Sequence, residues 1–250
     1  MIETIFLILF CYLVLFWISI QLKDNSIADV FWGLWFVIIA SMLFLFESDK
    51  NIVHIATLLI VSIWWLRLFF LFFSRKLKKT WEDPRYAKWR DEWKYFYTRS
   101  FFQVYVLQMI LMFIIATPLF FIFTSSEISN FTLIIWLVVA VVWLIFETVA
   151  DYQVNKFIKN KKKWENVVYT EWLYKYSRNP NYFWESTFWL GISIMSLHIS
   201  LFWIIWYMMI TFLLLKVSWV PMKEKSHSKK DNWQPYASNT NKFFPWFPKN

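Results

Sequence analysis

The sequence predicts an all-α fold, a polytopic integral membrane bundle of about seven transmembrane helices with its N-terminus outside and its C-terminus inside. Three observations carry this. Of 250 residues, 59% are hydrophobic and 24% aromatic, with 28 Phe and 19 Trp against two Gly, a composition far from that of a soluble domain. Only 17% are charged, and these cluster between long apolar runs, so lipid is the medium the runs suit. Most of the runs reach the roughly 20 residues that cross about 30 Å of hydrocarbon. The single cysteine, Cys11, lies in the first run, which excludes an intrachain disulfide and a thiolate metal cage.

In order, the apolar stretches are 2–22, 30–46, 52–73, 101–123, 131–150, 182–198 and 199–220, followed by a tail, 221–250. A single membrane domain, 1–250, is the simplest partition. The first run has few basic residues before it and no small-residue cleavage site, so it is expected to be a retained helix rather than a signal peptide. The last two runs are separated only by Leu197-His198-Ile199-Ser200, which makes six spans plus a re-entrant hairpin the rival count. Orientation follows from Lys and Arg, which accumulate on the cytoplasmic side. Nine lie between 74 and 100, seven between 156 and 178 and six after 220, while the opposite loops hold Lys50 alone. This topology signal, with attraction to anionic headgroups, accounts for most of the +9 net charge and leaves no call for a nucleic acid partner.

The segment Thr80–Trp93 alternates Trp and Tyr with charges at helical spacing. It reads as an interfacial helix, or as a lid whose Arg85 or Arg90 meets an anionic ligand. The Pro- and Lys-rich tail suits a membrane-hugging segment that helps close a site.

Ionisable groups at membrane depth are costly and therefore functional candidates. Glu147, Asp151, Asn155 and Lys159 recur every four residues and form one polar stripe on the fifth span. The Glu-x-x-His partner of carboxylate metal sites is absent, so no metal is expected. In Arg178-Asn179-Pro180-Asn181-Tyr182-Phe183-Trp184-Glu185, Asn179 suits an N-cap and Pro180 the first helical position. Arg178, Asn181, Tyr182 and Glu185 then share a face suited to a phosphorylated or polyhydroxylated ligand. Arg67 follows Trp64-Trp65-Leu66, either snorkelling to the interface or functional. Asp29 opens the second span, either as a first-turn acid or as a functional carboxylate. His54 and His198 are isolated, which fits interfacial positions better than metal ligation. With two glycines, no Gly-rich phosphate loop is present.

The residues Asp29-x-x-Trp32-Gly33, Trp65-x-Arg67, Arg75, Glu82-Asp83-x-Arg85-Tyr86, Gln108, Ala150-Asp151-x-Gln153, Arg178-x-Pro180-Asn181-Tyr182-x-x-Glu185 and Trp189-x-Gly191 occur in order. Lys216-Val217-Ser218-x-Val220-Pro221, Glu224, Tyr236, Thr240, Phe244 and Pro245 extend the pattern into the tail. The set resembles the bacterial membrane family DUF1295, a branch of the steroid 5-alpha-reductase and sterol-reductase superfamily.

The resemblance implies a membrane enzyme of seven helices in the bacterial inner membrane. It would bind NADPH in a cytoplasm-facing cavity and reduce a carbon–carbon double bond of a lipophilic, sterol-, isoprenoid- or lipid-like substrate. By the same resemblance, Arg178, Asn181, Tyr182, Glu185 and Asp151 contact the cofactor. Glu147, beside Asp151 on the polar stripe, joins them as a candidate, with Arg67 and Arg75 as weaker carry-overs. Trp64 stands where the steroid-reducing enzymes carry a proton-donating Tyr, and indole cannot act as that acid. Asp29 is then the candidate catalytic acid. The superfold also hosts S-adenosylmethionine-dependent methyltransferases, whose corresponding element has Gly where this chain has Trp184; that difference favours the reductase. A non-enzymatic membrane protein or transporter is the third class. The absence of Gly or Pro pairs at mid-span argues against transport.

Overall fold

Among the described residues, the apolar runs fold as helix and there is no strand. The computed structural model describes residues 2–77, 82–125, 130–162, 165–197, 200–217 and 219–249. Lys78 and Lys79, Thr80 and Trp81 at the start of the interfacial segment, His198 and Ile199 of the break between the last two runs, and Ser218 lie outside the described residues. The chain packs as two compact units, Met1–Glu127 and Ile128–Asn250.

The first unit contains α1 (Ile2–Leu22), α2 (Ile27–Phe46) and α3 (Ile52–Leu77), then the short α4 (Pro84–Glu92). After these, α5 (Phe96–Ser100) runs through π-helical turns, Phe101–Val106, into α6 (Leu107–Thr124). Here α2 is central, packing on α1, α3 and α6. Its approach to α3 requires Gly33, because a β-carbon there would lie 2.9 Å from the Trp65 carbonyl oxygen. One turn on, Phe36 stacks on Trp65 with centroids 4.3 Å apart. Helix α1 buries Thr4, Ile8, Tyr12, Leu15 and Ser19, a stripe at three- and four-residue spacing, and leaves Phe6, Phe10 and Trp17 more than 60% exposed.

The second unit contains α7 (Asn130–Asn160), α8 (Leu173–Tyr176), α9 (Pro180–Ser196) and α10 (Phe202–Phe212). Helix α10 continues through π-helical turns, Leu213–Val217, to α11 (Trp219–His227), and α12 (Trp233–Asn239) follows. On α7, Leu133, Trp136, Ala140, Trp143, Glu147 and Ala150 are buried, again at alternating spacings of three and four. That face meets α9, where Gly191 admits the Trp136 indole; a β-carbon at 191 would collide with it.

Among the described residues, six helical stretches are long and apolar enough to cross a membrane: Ile2–Leu22, Ile27–Phe46, Ile52–Leu77, Phe96–Thr124, Phe131–Asn160 and Phe202–His227. Large exposed side chains such as Phe70, Phe102, Val138, Ile145 and Ile205 make this a helical membrane protein, because such a surface needs an apolar medium. The sixth expected span, 182–198, is α9, whose 17 residues rise only about 25 Å. The reason for its modest hydropathy is its place in the core. Phe188, Trp189, Ile192 and Met195 are at most 2% exposed, and Ser186, Ser193 and Ser196 are buried with them. It faces protein more than lipid.

Gly191→Ala is expected to lower the thermal midpoint in detergent by the equivalent of about 1–3 kcal/mol. Adding Trp136→Phe should recover part of that loss. Circular dichroism melts of both variants check it.

Candidate functional site

Each unit carries a polar cluster beside a π-helical turn, where helix geometry is locally widened. In the first unit the cluster begins after α1. Asp24 accepts from Ser26 and pairs with Lys76 in the last turn of α3. The Asn25 N–H donates to Glu82 at 2.7 Å, and Glu82 is held by Arg90 through bonds of 3.0 and 2.9 Å. Asp83 caps α4 by accepting the Arg85 N–H. Asp29, in the first turn of α2, accepts from the Arg85 guanidinium at 2.7 Å, the Tyr86 hydroxyl at 2.9 Å and the Gln108 amide at 3.2 Å. Gln108 stands one residue past Leu107, where the π-helical turns end.

The arginines of α4 are therefore turned onto carboxylates of their own unit, and α4 is pinned rather than poised as a lid. Burial first, and then the Asp29 carboxylate, raise the Tyr86 phenol well above its ordinary range, so it keeps its proton and donates it.

The second cluster ties the tail to the start of α9. Arg178 pairs with Glu224 at 2.9 Å, with the two side chains 12% and 17% exposed. It also donates to the Ala237 carbonyl at 2.6 Å and lies over the Trp233 ring. Asn179 caps α9 by its backbone position only. Its amide donates instead to Glu224 at 3.0 Å and to the Lys242 carbonyl at 2.9 Å, while Ser177 donates to the Phe243 carbonyl. Lys223 donates to the Arg178 carbonyl at 3.2 Å and to Asn181 at 3.4 Å, and its ammonium sits over the rings of Tyr174 and Tyr182. The Tyr236 hydroxyl donates to the Tyr174 carbonyl at 2.7 Å; burial raises this phenol above its usual range.

Of the residues expected to hold a cofactor, Asn181 and Tyr182 meet around Lys223. The Asp151 charge acts on the same ammonium. Glu147 lies on the inward face of α7 and is 5% exposed, and Glu185 is half-buried on α9. Arg178 does not share their helical face. Helix α9 begins at Pro180, and Asn179 has the non-helical angles φ −131° and ψ 54°, so Arg178 projects toward the tail instead. In the first unit, Arg67 is half-buried on α3 with its guanidinium 5.8 Å from the Trp64 ring centroid, and Arg75 is in the last turn of α3.

Two cavities adjoin the second cluster. One, of about 370 Å³, is lined by the cations Lys161, Arg178, Lys223 and Lys230, by the aromatics Phe157, Tyr169, Tyr174 and Tyr236, and by no carboxylate among the described residues. The other, of about 460 Å³, shares Phe157 and Tyr169 with it and opens along the outer face of α7.

A family model described as "protein of unknown function (DUF1295)" matches residues 15–242. The chain belongs to this family. No curated protein and no solved structure matches it. Across this DUF1295 chain, many of the polar motif residues fall into the two clusters just described: Asp29, Glu82, Asp83, Arg85, Tyr86 and Gln108 in one, and Arg178, Asn181, Tyr182, Glu224 and Tyr236 in the other.

Lys223, Tyr174 and the cavity lysines Lys161 and Lys230 were not singled out from sequence. They stand among many basic and aromatic residues, and only the fold of the tail brings them together. The adjacent Lys223-Glu224, after Pro221 in an otherwise basic stretch, is the one local signal.

Removing one partner of a buried ion pair costs about 3–5 kcal/mol. Glu224→Gln is therefore expected to lower the thermal midpoint by several degrees. Glu92→Gln, which breaks the exposed Lys88–Glu92 pair at 3.5 Å, should leave it within about one degree, since such pairs contribute about 0–1 kcal/mol. Differential scanning fluorimetry on both variants makes the comparison.

Proposed function

We propose that this DUF1295 protein is an NADPH-dependent membrane reductase of a carbon–carbon double bond in a lipophilic substrate. In this reading its cofactor cavity opens toward the cytoplasm of a bacterial inner membrane, the side to which the basic residues belong. The observation that carries the reading is the cavity lined by Arg178 and Lys223, which combines four Lys and Arg side chains with four Phe and Tyr rings and the His227 imidazole, and has no carboxylate among its described lining residues. Its volume of about 370 Å³ is near the lower end of small-molecule sites, which run from about 300 to 1,000 Å³. It suits the phosphorylated adenosine end of a dinucleotide rather than the whole.

The residues fit that group chemically. Lys161, Lys223 and Lys230 are compact charges that would hold phosphate oxygens, and Tyr169, Tyr174 and Tyr236 would flank a purine. Arg178 acts as a positioning residue, because its guanidinium is taken up by Glu224 and the Ala237 carbonyl. When bound, the nicotinamide supplies a hydride to the alkene. Asp29 is a positioning carboxylate in this reading rather than the proton donor. One of its oxygens accepts from Arg85 and the other from Tyr86 and Gln108, so both are taken up within the cluster and hold the phenol of Tyr86 in place.

The same cavity disfavours S-adenosylmethionine, whose sulfonium is itself a cation. Trp184 supports this from the other side. It stacks on Phe146 at 4.7 Å between ring centroids and so packs along α7, where the methyltransferase pattern has Gly.

NADPH is expected to raise the thermal midpoint of the purified protein more than NADH or S-adenosylmethionine does, since a ligand at about 100 times its Kd contributes about 2.7 kcal/mol to the folded state. Lys223→Ala combined with Lys230→Ala should weaken NADPH binding at least tenfold by titration. A larger response to S-adenosylmethionine, or none to any of the three, would overturn the reading.

A further inference from the structure

The larger cavity lies where the lipid-facing surface of α7 gives way to charge. Along that helix Val138, Val142, Ile145, Val149 and Tyr152 are 40–65% exposed and recur at spacings of three and four, so they form one outward stripe. From Val138 to Val149 the stripe runs about 16 Å at the helical rise, long enough to carry much of an acyl chain. It leads into the cavity of about 460 Å³, which Val149 and Tyr152 line together with Lys156, Asn160, Glu171 and Trp172.

The lining holds both signs of charge. Lys156 and Glu171 both face this cavity, and among the described residues neither closes an ion pair. Trp172 is 70% exposed, an expensive position for an indole in water but a common one at a headgroup boundary. Its backbone is also unusual, with φ 53° and ψ −122°, a conformation that costs about 1–3 kcal/mol in a non-Gly residue. This indole lines the cavity. Tyr169, shared with the phosphate-binding cavity, feels the Glu171 charge.

We propose that this cavity binds the headgroup of a zwitterionic phospholipid from the surrounding bilayer, with its acyl chain along the outward stripe of α7. The phosphate meets Lys156 and Asn160. The ammonium meets Glu171 and the faces of Trp172 and Tyr152, which attract cations through their ring quadrupoles. A purely anionic lipid leaves Glu171 facing a like charge, and a simple hydrocarbon leaves both charged groups without partners. The site follows from the cavity alone and stands whichever reaction the chain performs.

The test uses full-length protein reconstituted in vesicles of equal parts phosphatidylethanolamine and phosphatidylglycerol, then extracted in mild detergent and weighed by native mass spectrometry. Wild-type protein is expected to retain phosphatidylethanolamine at least threefold over phosphatidylglycerol (~0.65 kcal/mol of preference). Glu171→Lys should invert that ratio, because the ammonium loses its carboxylate and the anionic lipid gains a second cation. Glu171 stands at the surface, and an unchanged melting temperature confirms that the variant is folded. Retention of the two lipids in their bulk ratio, a wild-type preference for phosphatidylglycerol, or an unchanged ratio in folded Glu171→Lys overturns the proposal.

Discussion

The second unit depends on one largely buried ion pair. Arg178 precedes α9, and Glu224 sits on α11, more than forty residues later in the chain; their contact joins the start of the core helix to the end of the last long helical stretch. A charge at that depth is stable only when its partners are supplied, and they are. Glu224 also accepts from Asn179, and Arg178 reaches the Ala237 carbonyl. With the pair in place, Trp233 and Tyr236 pack with Val168 in a small apolar cluster, and Phe243 lies against Phe183. The tail becomes a wall. Without it, Lys223, Tyr174 and Tyr236 have no common cavity to line.

The first unit solves a similar problem with more charges. A short amphipathic helix on a membrane surface has little to hold it. Here α4 is fastened by Arg85 to Asp29 and by Arg90 to Glu82, which also accepts from the Asn25 backbone. In each unit a long helix passes through π-helical turns just before its polar cluster, at Phe101–Val106 and at Leu213–Val217. Such turns shift the face that later residues present, and the sequence that follows supplies polar groups: Gln108 in one case, Lys223 and Glu224 in the other.

Much of the fold was legible because apolar length and periodicity are strong signals. The runs at 2–22, 52–73 and 131–150 are α1, α3 and α7, although α7 extends ten residues past the expected end. Its polar continuation through Asp151, Asn155 and Lys159 is still helical. The N-cap at Asn179 and the first-turn position of Asp29 were readable from local rules. Other features depend on the tertiary structure. Arg178 read as part of a helical face by spacing alone, although an N-cap at Asn179 already places Arg178 before the helix; what the local rules do not show is that it turns toward the tail. The shortness of α9 made sense only once its protein-filled surroundings were seen. The arginines of α4 looked available in sequence, and only the fold brings Asp29 and Glu82 to them. The cavity lysines were hidden for a related reason: the chain is rich in Lys, and sequence order does not distinguish those that converge from those that mark topology.

The central claim is that the basic, aromatic cavity closed by the tail holds a phosphorylated nucleotide. Hydrogen–deuterium exchange on the full chain in nanodiscs tests it most directly, because it reports where a ligand acts as well as whether it binds. With NADPH, amides in 165–178 and 223–240 should exchange more slowly, and NADH at the same concentration should protect them less. Unchanged exchange in both segments, or equal protection by S-adenosylmethionine, would contradict the account.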